Sequence, residues 1–581
     1  VRIGLLTESG YPYVGGDAGL WCDRLVRGLG QHAFDVYALS RDERQEDEDW
    51  TPLPSQVRRV RTAPLWMAED DGVGYGRRAR RRFTEAYGEL AATLCAGSAE
   101  AAGLAPTAGA ESAAEASATQ ADRFANALYG LAELAREEGG LVGALRSETA
   151  VRALERACRA PRAPRTAREA RVPELLTVAA HLERALRPLS LDWYEDDGLG
   201  SADLCHAASG GAAALPGLLA RHFHGVPLLV TEHGVRLRTH YLAATDAAPA
   251  VRALVAAFHG RLAAEIYRRA ERITPGNAHA RRWQERCGAD RAKLHTVYPG
   301  MDAAPFTEVG EAPDAADPGT LVWVGRIDPA KDLISLLHAF AQIRKEEPKT
   351  RLRIIGAADG AEGAAYLAHC RALAAQLFPD EAEGPHAVGD NPVSFEEIGG
   401  PEAPTPAEAY ASGAVTVLSS VVEGFPISLV EAMFCARATV STDVGAVVEV
   451  IGGTGLVVPP RNPRALAEAC VALLRDPERR ARLGAAARAR ALELFTVEQN
   501  IAAFHGIYLE IVARCPVRRV VLDAGGEPLP FAVPAEARVP GRWTDPALRG
   551  VARRGPGWAG QRAPVRATSA VAAMPGAERV R

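Results

Sequence analysis

The sequence predicts an α/β protein of two parallel-sheet domains. Three observations predict it: a strand, loop, helix and strand open the chain, a second alternating block follows residue 319, and the length suffices for two cores. With 581 residues, 48% of them hydrophobic and 24% charged, the chain buries more than one core.

Composition narrows the function. A formal net charge of -5 gives no overall basic field for nucleic acid or acidic lipid, so no nucleic-acid partner is expected. The nine cysteines are scattered and form no C-x-x-C pair, which reads as reduced thiols. No charged-then-apolar leader opens the sequence, and no apolar run approaches the ~20 residues that span a bilayer. The expected address is cytoplasmic.

Val1-Arg2-Ile3-Gly4-Leu5-Leu6-Thr7 is β-prone, a Gly/Pro/Tyr turn follows, and residues 20–29 are amphipathic. Phe34-Asp35-Val36-Tyr37-Ala38-Leu39 supplies the next strand, completing a βαβ start whose loop lies at the carboxyl edge of a parallel sheet, where ligands bind. Residues 70–200 shift to Ala, Arg and Glu, with breaks at 97–119 and 159–168, and read as a helical insertion. Strands resume at Asp203-Leu204-Cys205-His206, Pro227-Leu228-Leu229-Val230-Thr231, Arg272-Ile273-Thr274-Pro275 and His295-Thr296-Val297-Tyr298, closing a first domain over 1–302.

The acid-, Pro- and Ala-rich stretch 303–319 reads as a linker. The second domain, 320–496, has strands at Leu321-Val322-Trp323-Val324, Leu352-Arg353-Ile354-Ile355, Val415-Thr416-Val417-Leu418 and Thr439-Val440-Ser441-Thr442. Phe504, Ile507, Tyr508 and Ile511 mark a closing helix over 497–513. The tail, 514–581, is rich in Pro, Gly and Arg, a composition that favours a disordered, solvated appendage.

Two stretches carry chemistry. Val324-Gly325-Arg326-Ile327-Asp328-Pro329-Ala330-Lys331-Asp332 sits where a strand ends and a helix begins, so Arg326 and Lys331 can converge on one anion. An Arg fork with a Lys point charge suits a departing diphosphate. A pair of surface cations fits the same residues. In Glu423-Gly424-Phe425-Pro426-Ile427-Ser428-Leu429-Val430-Glu431, Pro426 suits a first helical turn, placing Glu423 in the loop before it and Glu431 in the second turn. Each carboxylate can accept hydrogen bonds from a vicinal diol, beside backbone N–H groups that favour phosphate. Acids complementing a helix dipole fit equally well.

The Gly-Arg…Lys turn followed about a hundred residues later by the glutamate pair resembles glycosyltransferase family 4, over roughly residues 200–510. Supporting stretches are Val297-Tyr298-Pro299-Gly300-Met301-Asp302, Leu418-Ser419-Ser420, Glu431-Ala432-Met433 and Asp443-Val444-Gly445-Ala446-Val447-Val448-Glu449. Within that family the amino half is similar to the Pel exopolysaccharide-type glycosyltransferases, through Thr7-Glu8-Ser9-Gly10-Tyr11-Pro12, Gly15-Gly16 with Trp21, His206-Ala207-Ala208-Ser209-Gly210 and Thr231-Glu232-His233-Gly234. Two features depart from the pattern. The turn Phe434-Cys435-Ala436-Arg437-Ala438 stands where the family usually has a glycine-containing turn, and with the Ala-rich insertion acceptor details carry over poorly.

The resemblance implies a GT-B fold of two Rossmann-like domains and a retaining transfer from a nucleotide sugar. By analogy the donor is UDP-glucose and the acceptor a glycan or other hydroxyl compound in polysaccharide synthesis; docking to a membrane polysaccharide-export complex is compatible with this. Arg326 and Lys331 would hold the diphosphate, Glu423 the sugar, Glu431 the ribose, and His233 would line the sugar site. The donor loop would include Gly424, Phe425, Pro426 and Ile427. Gly15 and Gly16 would let backbone amides approach phosphate, though a plain tight turn also fits them. No metal-ligand cluster is evident, so charge neutralisation falls to Arg326, Lys331 and helix-end amides.

Rival readings are a GT-B epimerase or glycan phosphorylase, and a non-catalytic carbohydrate-binding or complex-assembly protein. A dinucleotide oxidoreductase lacks its fingerprint glycines at both strand ends.

Overall fold

The computed structural model describes residues 1–13, 16–47, 50–67, 71–96, 110–243, 247–312, 316–379, 391–517 and 560–562. These fall into two compact units: Val1–Thr231 with Thr239–Ile273 and Ile507–Arg581, and Glu232–Arg238 with Thr274–Gly506.

The first sheet contains β1 (Arg2–Glu8), β2 (Ala33–Ser40), β3 (Val57–Pro64), β4 (Leu204–Ala207), β5 (Leu228–Glu232) and β6 (Arg272–Pro275), in the order β3-β2-β1-β4-β5-β6. Strand β1 runs parallel to both β2 and β4. The second sheet contains β7 (Asp317–Val324), β8 (Arg351–Ile355), β9 (Val393–Glu396), β10 (Gly413–Leu418), β11 (Ala438–Thr442) and β12 (Leu456–Val458), parallel throughout, in the order β9-β8-β7-β10-β11-β12. Each order reverses once, between β1 and β4 and between β7 and β10. That reversal opens a crevice at the carboxyl ends of doubly wound sheets. A short strand, β13 (Gly560–Arg562), pairs antiparallel with β3, so three residues of the sequence-defined tail are ordered as an edge strand. The other tail residues beyond 517 lie outside the described ones.

Both faces of the second sheet are covered, as parallel sheets require. Leu321 and Trp323 of β7 point into one apolar cluster, and Val322 and Val324 into another. The helix Leu333–Glu346 buries Leu333, Leu336, Leu337, Phe340 and Ile343. That is one helical stripe, and each large apolar side chain so buried contributes roughly 1.5–3 kcal/mol.

Between β3 and β4 the chain forms the helices Arg77–Cys95, Ala110–Glu138, Glu148–Arg159 and Val172–Leu186, with shorter pieces between them. Phe83 and Tyr87 stack in the first of these at 5.4 Å. Buried Glu265 collects the Tyr129 hydroxyl at 2.9 Å together with Arg268 and Arg269. The break expected at 97–119 lies mostly outside the described residues. All nine cysteines are free thiols.

Several boundaries differ from those the sequence suggests. His295-Thr296-Val297-Tyr298 joins no ladder, although the Val297 N–H donates to the Pro275 carbonyl at 3.0 Å. Residues 274–302 pack with the second unit because the Met301 N–H bonds the Phe495 carbonyl at 2.8 Å and Asn500 Nδ2 donates to the Tyr298 carbonyl at 2.6 Å. Partners two hundred residues apart leave no local signal. The stretch 303–319 is not featureless: it holds a helical turn, Thr307–Glu311, and the start of β7. The closing helix, Val497–Arg514, continues across the division of the units.

Candidate active site

Lys331 and Glu423 meet just past the carboxyl ends of β7 and β10, the adjacent strands where the sheet order reverses. The Lys331 ammonium donates to Glu423 Oε1, and the two side chains are only 16% and 11% exposed, so solvent screens the pair weakly. Local geometry brings Lys331 there: Val324 ends the strand, and Asp328 caps the turn Pro329–Lys331 by accepting from the Ala330 N–H at 2.9 Å. Asp332, at φ 46°, then caps the helix Leu333–Glu346 through the Ser335 N–H at 3.2 Å.

Backbone bonds sew the two loops together. The Val421 N–H donates to the Ala330 carbonyl at 2.8 Å, and Ser419 Oγ donates to the Lys331 carbonyl at 2.7 Å. Ser420 Oγ donates to Glu423 Oε1 at 3.2 Å, while Thr442 Oγ1 holds the Ser420 carbonyl at 2.6 Å. On its other side the Glu423 carbonyl accepts from Arg238 Nη2 at 3.0 Å, and the Ala446 N–H donates to the Gly424 carbonyl at 3.1 Å. Gly445, at φ 58°, makes that approach possible. A Cβ on it would lie 2.5 Å from the Glu423 carbonyl oxygen.

The remaining predicted residues are placed differently. Arg326 is 65% exposed and donates from Nε to Asp328 at 3.2 Å, so it does not join the Lys331–Glu423 contact. Glu431 lies in the second turn of the helix Ile427–Phe434 and accepts from the Tyr410 hydroxyl at 2.8 Å. Burial, then the neighbouring Glu431 charge, pushes the Tyr410 phenol well above its usual range, which keeps it a donor. Phe425 turns toward Tyr298 and Phe495, with ring centroids 6.4 and 5.7 Å away, so its side chain is spent on packing. Pro426 takes the cap position of that helix, and Ile427 is 37% exposed at its start.

His233 follows β5 directly, and its two ring nitrogens are out of solvent. Burial lowers the imidazole to about 4, so it is neutral near pH 7. Gly276, after β6, permits this: a Cβ there would fall 2.5 Å from His233 Nδ1. Gly16 begins the helix Gly16–Gly28 at φ 72° and is exposed; Gly15 lies outside the described residues. His206 is a satisfied structural histidine, 2.7 Å from both the Tyr508 hydroxyl and Thr231 Oγ1. Glu449 is likewise committed, accepting from Tyr298 at 2.9 Å and the Ala278 N–H at 2.6 Å.

Sequence reasoning missed Arg238 and Tyr410. The first lies five residues after His233 with nothing local to mark it. The second is one more aromatic residue in a helix, Pro406–Ala411, whose only hint was an N-cap threonine. Among the described residues no group of three His, Cys, Asp or Glu is arranged to hold a metal ion. No described helix is long and apolar enough to cross a membrane.

Residues 1–292 match the family model described as Domain of unknown function (DUF3492), half of the chain. The chain belongs to the DUF3492 family. Residues 318–476 of this DUF3492 protein match the model described as Glycosyl transferases group 1, and they contain both loops of the Lys331–Glu423 site. A D-inositol 3-phosphate glycosyltransferase of Kineococcus radiotolerans is 33% identical over 221 residues, 35% of this chain and 49% of the relative. A second, from Streptomyces bingchenggensis, is 30% identical over 38% of this chain and 49% of its own length. The chain thus spans about half the length of these curated relatives.

Among solved structures, sucrose-phosphate synthase from Thermosynechococcus elongatus superposes with a TM-score of 0.52 at 18% identity, covering 88% of this chain and 99% of the neighbour. Anabaena HepE in complex with UDP gives 0.51 at 14% identity, over 88% and 100%. These likenesses establish the fold, a GT-B architecture of two parallel α/β sheets.

Proposed function

We propose that this chain is a retaining, family 4, Pel-type glycosyltransferase that moves a hexose, glucose by preference, from a UDP-sugar to a hydroxyl acceptor in polysaccharide synthesis. The observation that carries the reading is the Lys331–Glu423 pair at the switch point of a sheet lying within the glycosyl transferases group 1 match. The relatives named as glycosyltransferases, and a neighbour solved with UDP, support a nucleotide-sugar donor.

A lysine ammonium has three N–H donors. With one on Glu423, others serve the diphosphate, and exposed Arg326 adds a mobile guanidinium fork as charge grows on the departing nucleotide. Glu423 receives the hexose hydroxyls, while Glu431, fixed by Tyr410, receives the ribose diol. Neutral His233 offers one donor and one acceptor to a sugar hydroxyl. The acceptor hydroxyl attacks the anomeric carbon on the face from which the nucleotide leaves, its proton passing to a phosphate oxygen. Glu423 orients the sugar and forms no bond to it.

The test is nucleotide release from a panel of donors, with and without a glucan acceptor. UDP release from UDP-glucose that rises with acceptor supports the proposal. Preference for GDP-mannose overturns the donor; epimerised sugar without transfer, or phosphate-dependent glycan cleavage, replaces the activity. Absence of any nucleotide affinity by calorimetry leaves the binding-protein reading.

A further inference from the structure

The helical insertion of the first unit brings two thiols together. Cys95 closes the helix Arg77–Cys95, and Cys158 is the penultimate residue of the helix Glu148–Arg159. The two helices pack on each other, and the sulfurs stand 3.6 Å apart although 63 residues separate them in sequence. Both side chains are buried. Among the described residues no other two cysteine sulfurs are in hydrogen-bond contact.

Each cysteine ends a buried row at helical spacing: Tyr87, Ala91 and Cys95 on one helix, Ala150, Leu154 and Cys158 on the other. Burial, then charge on the Cys158 sulfur, holds the Tyr87 phenol above its usual range, so the tyrosine hydroxyl lies near the same sulfur.

The two thiols are not equivalent. The hydrogen bond from Cys95 lowers Cys158; burial opposes this, and the neighbouring Arg159 charge favours it. The same bond, with burial, holds Cys95 well above the usual thiol range. The proton therefore stays on Cys95, and Cys158 is the more readily formed thiolate and the first nucleophile.

Their place at helix ends gives access. The last four carbonyls of a helix lack intrahelical partners, and such ends open at low cost. The backbone leaves the helix at Ala96, with ψ 112°, and at Ala160, with ψ 145°.

We propose that Cys95 and Cys158 are a redox modification site that closes reversibly to a disulfide by exchange with a low-molecular-weight disulfide. The Cys158 thiolate attacks one sulfur of the reagent, whose S–S bond breaks and releases a thiolate. Cys95, on losing its proton, attacks the Cys158 sulfur of the mixed disulfide and releases the second. The cysteines lose two electrons and two protons, and the reagent takes up both as two thiols. The sulfurs must approach by about 1.5 Å to bond, a shift supplied by side-chain rotation and small movements of the two helix ends. Once formed, the bond closes a loop that contains the helix Ala110–Glu138.

The full chain, folded in buffer without denaturant, is incubated with oxidised glutathione, alkylated and mapped by peptide mass spectrometry. A peptide pair joined through Cys95 and Cys158, lighter by the mass of two hydrogens, accumulates about tenfold or more over any other cysteine pair. Dithiothreitol abolishes it. Cys95→Ala traps Cys158 as its glutathione adduct, whereas Cys158→Ala leaves Cys95 largely unmodified. Melting temperatures check that both variants fold; where one does not, the map of the parent chain still decides the pair. No joined peptide, or one that forms only in urea, overturns the proposal. Equal adducts in the two folded variants overturn the assigned order of attack.

Discussion

Lys331 and Glu423, 92 residues apart in sequence, form an ion pair at the adjacent carboxyl ends of β7 and β10. Because both side chains are largely shielded, each is a condition for the other. Removing one partner leaves a charge with little water to solvate it.

Lys331→Ala therefore affects both chemistry and fold. Transfer should fall about a hundredfold or more through loss of a preorganised donor. The denaturation midpoint should drop as well, and Glu423→Gln in the same background should recover part of the stability without recovering turnover. Steady-state UDP release and urea unfolding of the two single variants and the double variant test this. Equal stability of Lys331→Ala and parent would refute the coupling.

Arg326→Ala should separate the two effects. Its side chain is 65% exposed and pairs with Asp328. The melting temperature should stay within a degree or two of the parent, consistent with surface ion pairs worth about 0–1 kcal/mol. Turnover should fall about a hundredfold. A folded variant with near-normal UDP release would remove Arg326 from the mechanism.

Gly445→Ala tests the loop stitching. A Cβ there meets the Glu423 carbonyl at 2.5 Å, and φ 58° is strained for alanine. The variant should lose on the order of 1–3 kcal/mol and bind UDP more weakly, because the Glu423 loop must shift. Unchanged UDP affinity in calorimetry would show that this loop tolerates displacement.

The His233 imidazole sets a pH dependence with a definite sign. Its folded value, about 4, lies below the ordinary value of 6.5, so the unfolded chain binds a proton first as pH falls. The stability this group contributes is complete above about pH 6.5 and is lost between there and about pH 4. Chemical unfolding of the parent and His233→Gln at pH 7 and pH 5 should show a smaller acid loss in the variant. Parallel losses would mean that His233 titrates normally in the folded protein.

Much of the architecture was legible because buried parallel strands are continuous apolar runs, as in Leu321-Val322-Trp323-Val324 and Val415-Thr416-Val417-Leu418. Strands β3, β9 and β12 escaped for physical reasons. The first carries arginine at positions 58, 59 and 61, the second has four residues, and the third has three. Apolar patterning is weakest where a strand is broken by charged residues or has little length. In the site, Lys331 and Glu423 carried chemistry-bearing types at strand ends and could be singled out. Arg238 and Tyr410 could not, because their parts depend on partners 185 and 21 residues away.

The sequence by itself determined the α/β class, the order of most strands along the chain, and the loops that bear cations and carboxylates, since these follow from side-chain periodicity and local turn chemistry. Only the tertiary structure decided which of those groups touch. The order β9-β8-β7-β10-β11-β12 makes β7 and β10 neighbours and so joins Lys331 to Glu423, while Arg326 is left to Asp328 and Glu431 to Tyr410. Contact between distant loops is fixed by strand order and by the burial that screens or exposes each charge, neither of which is written in any local stretch of the chain.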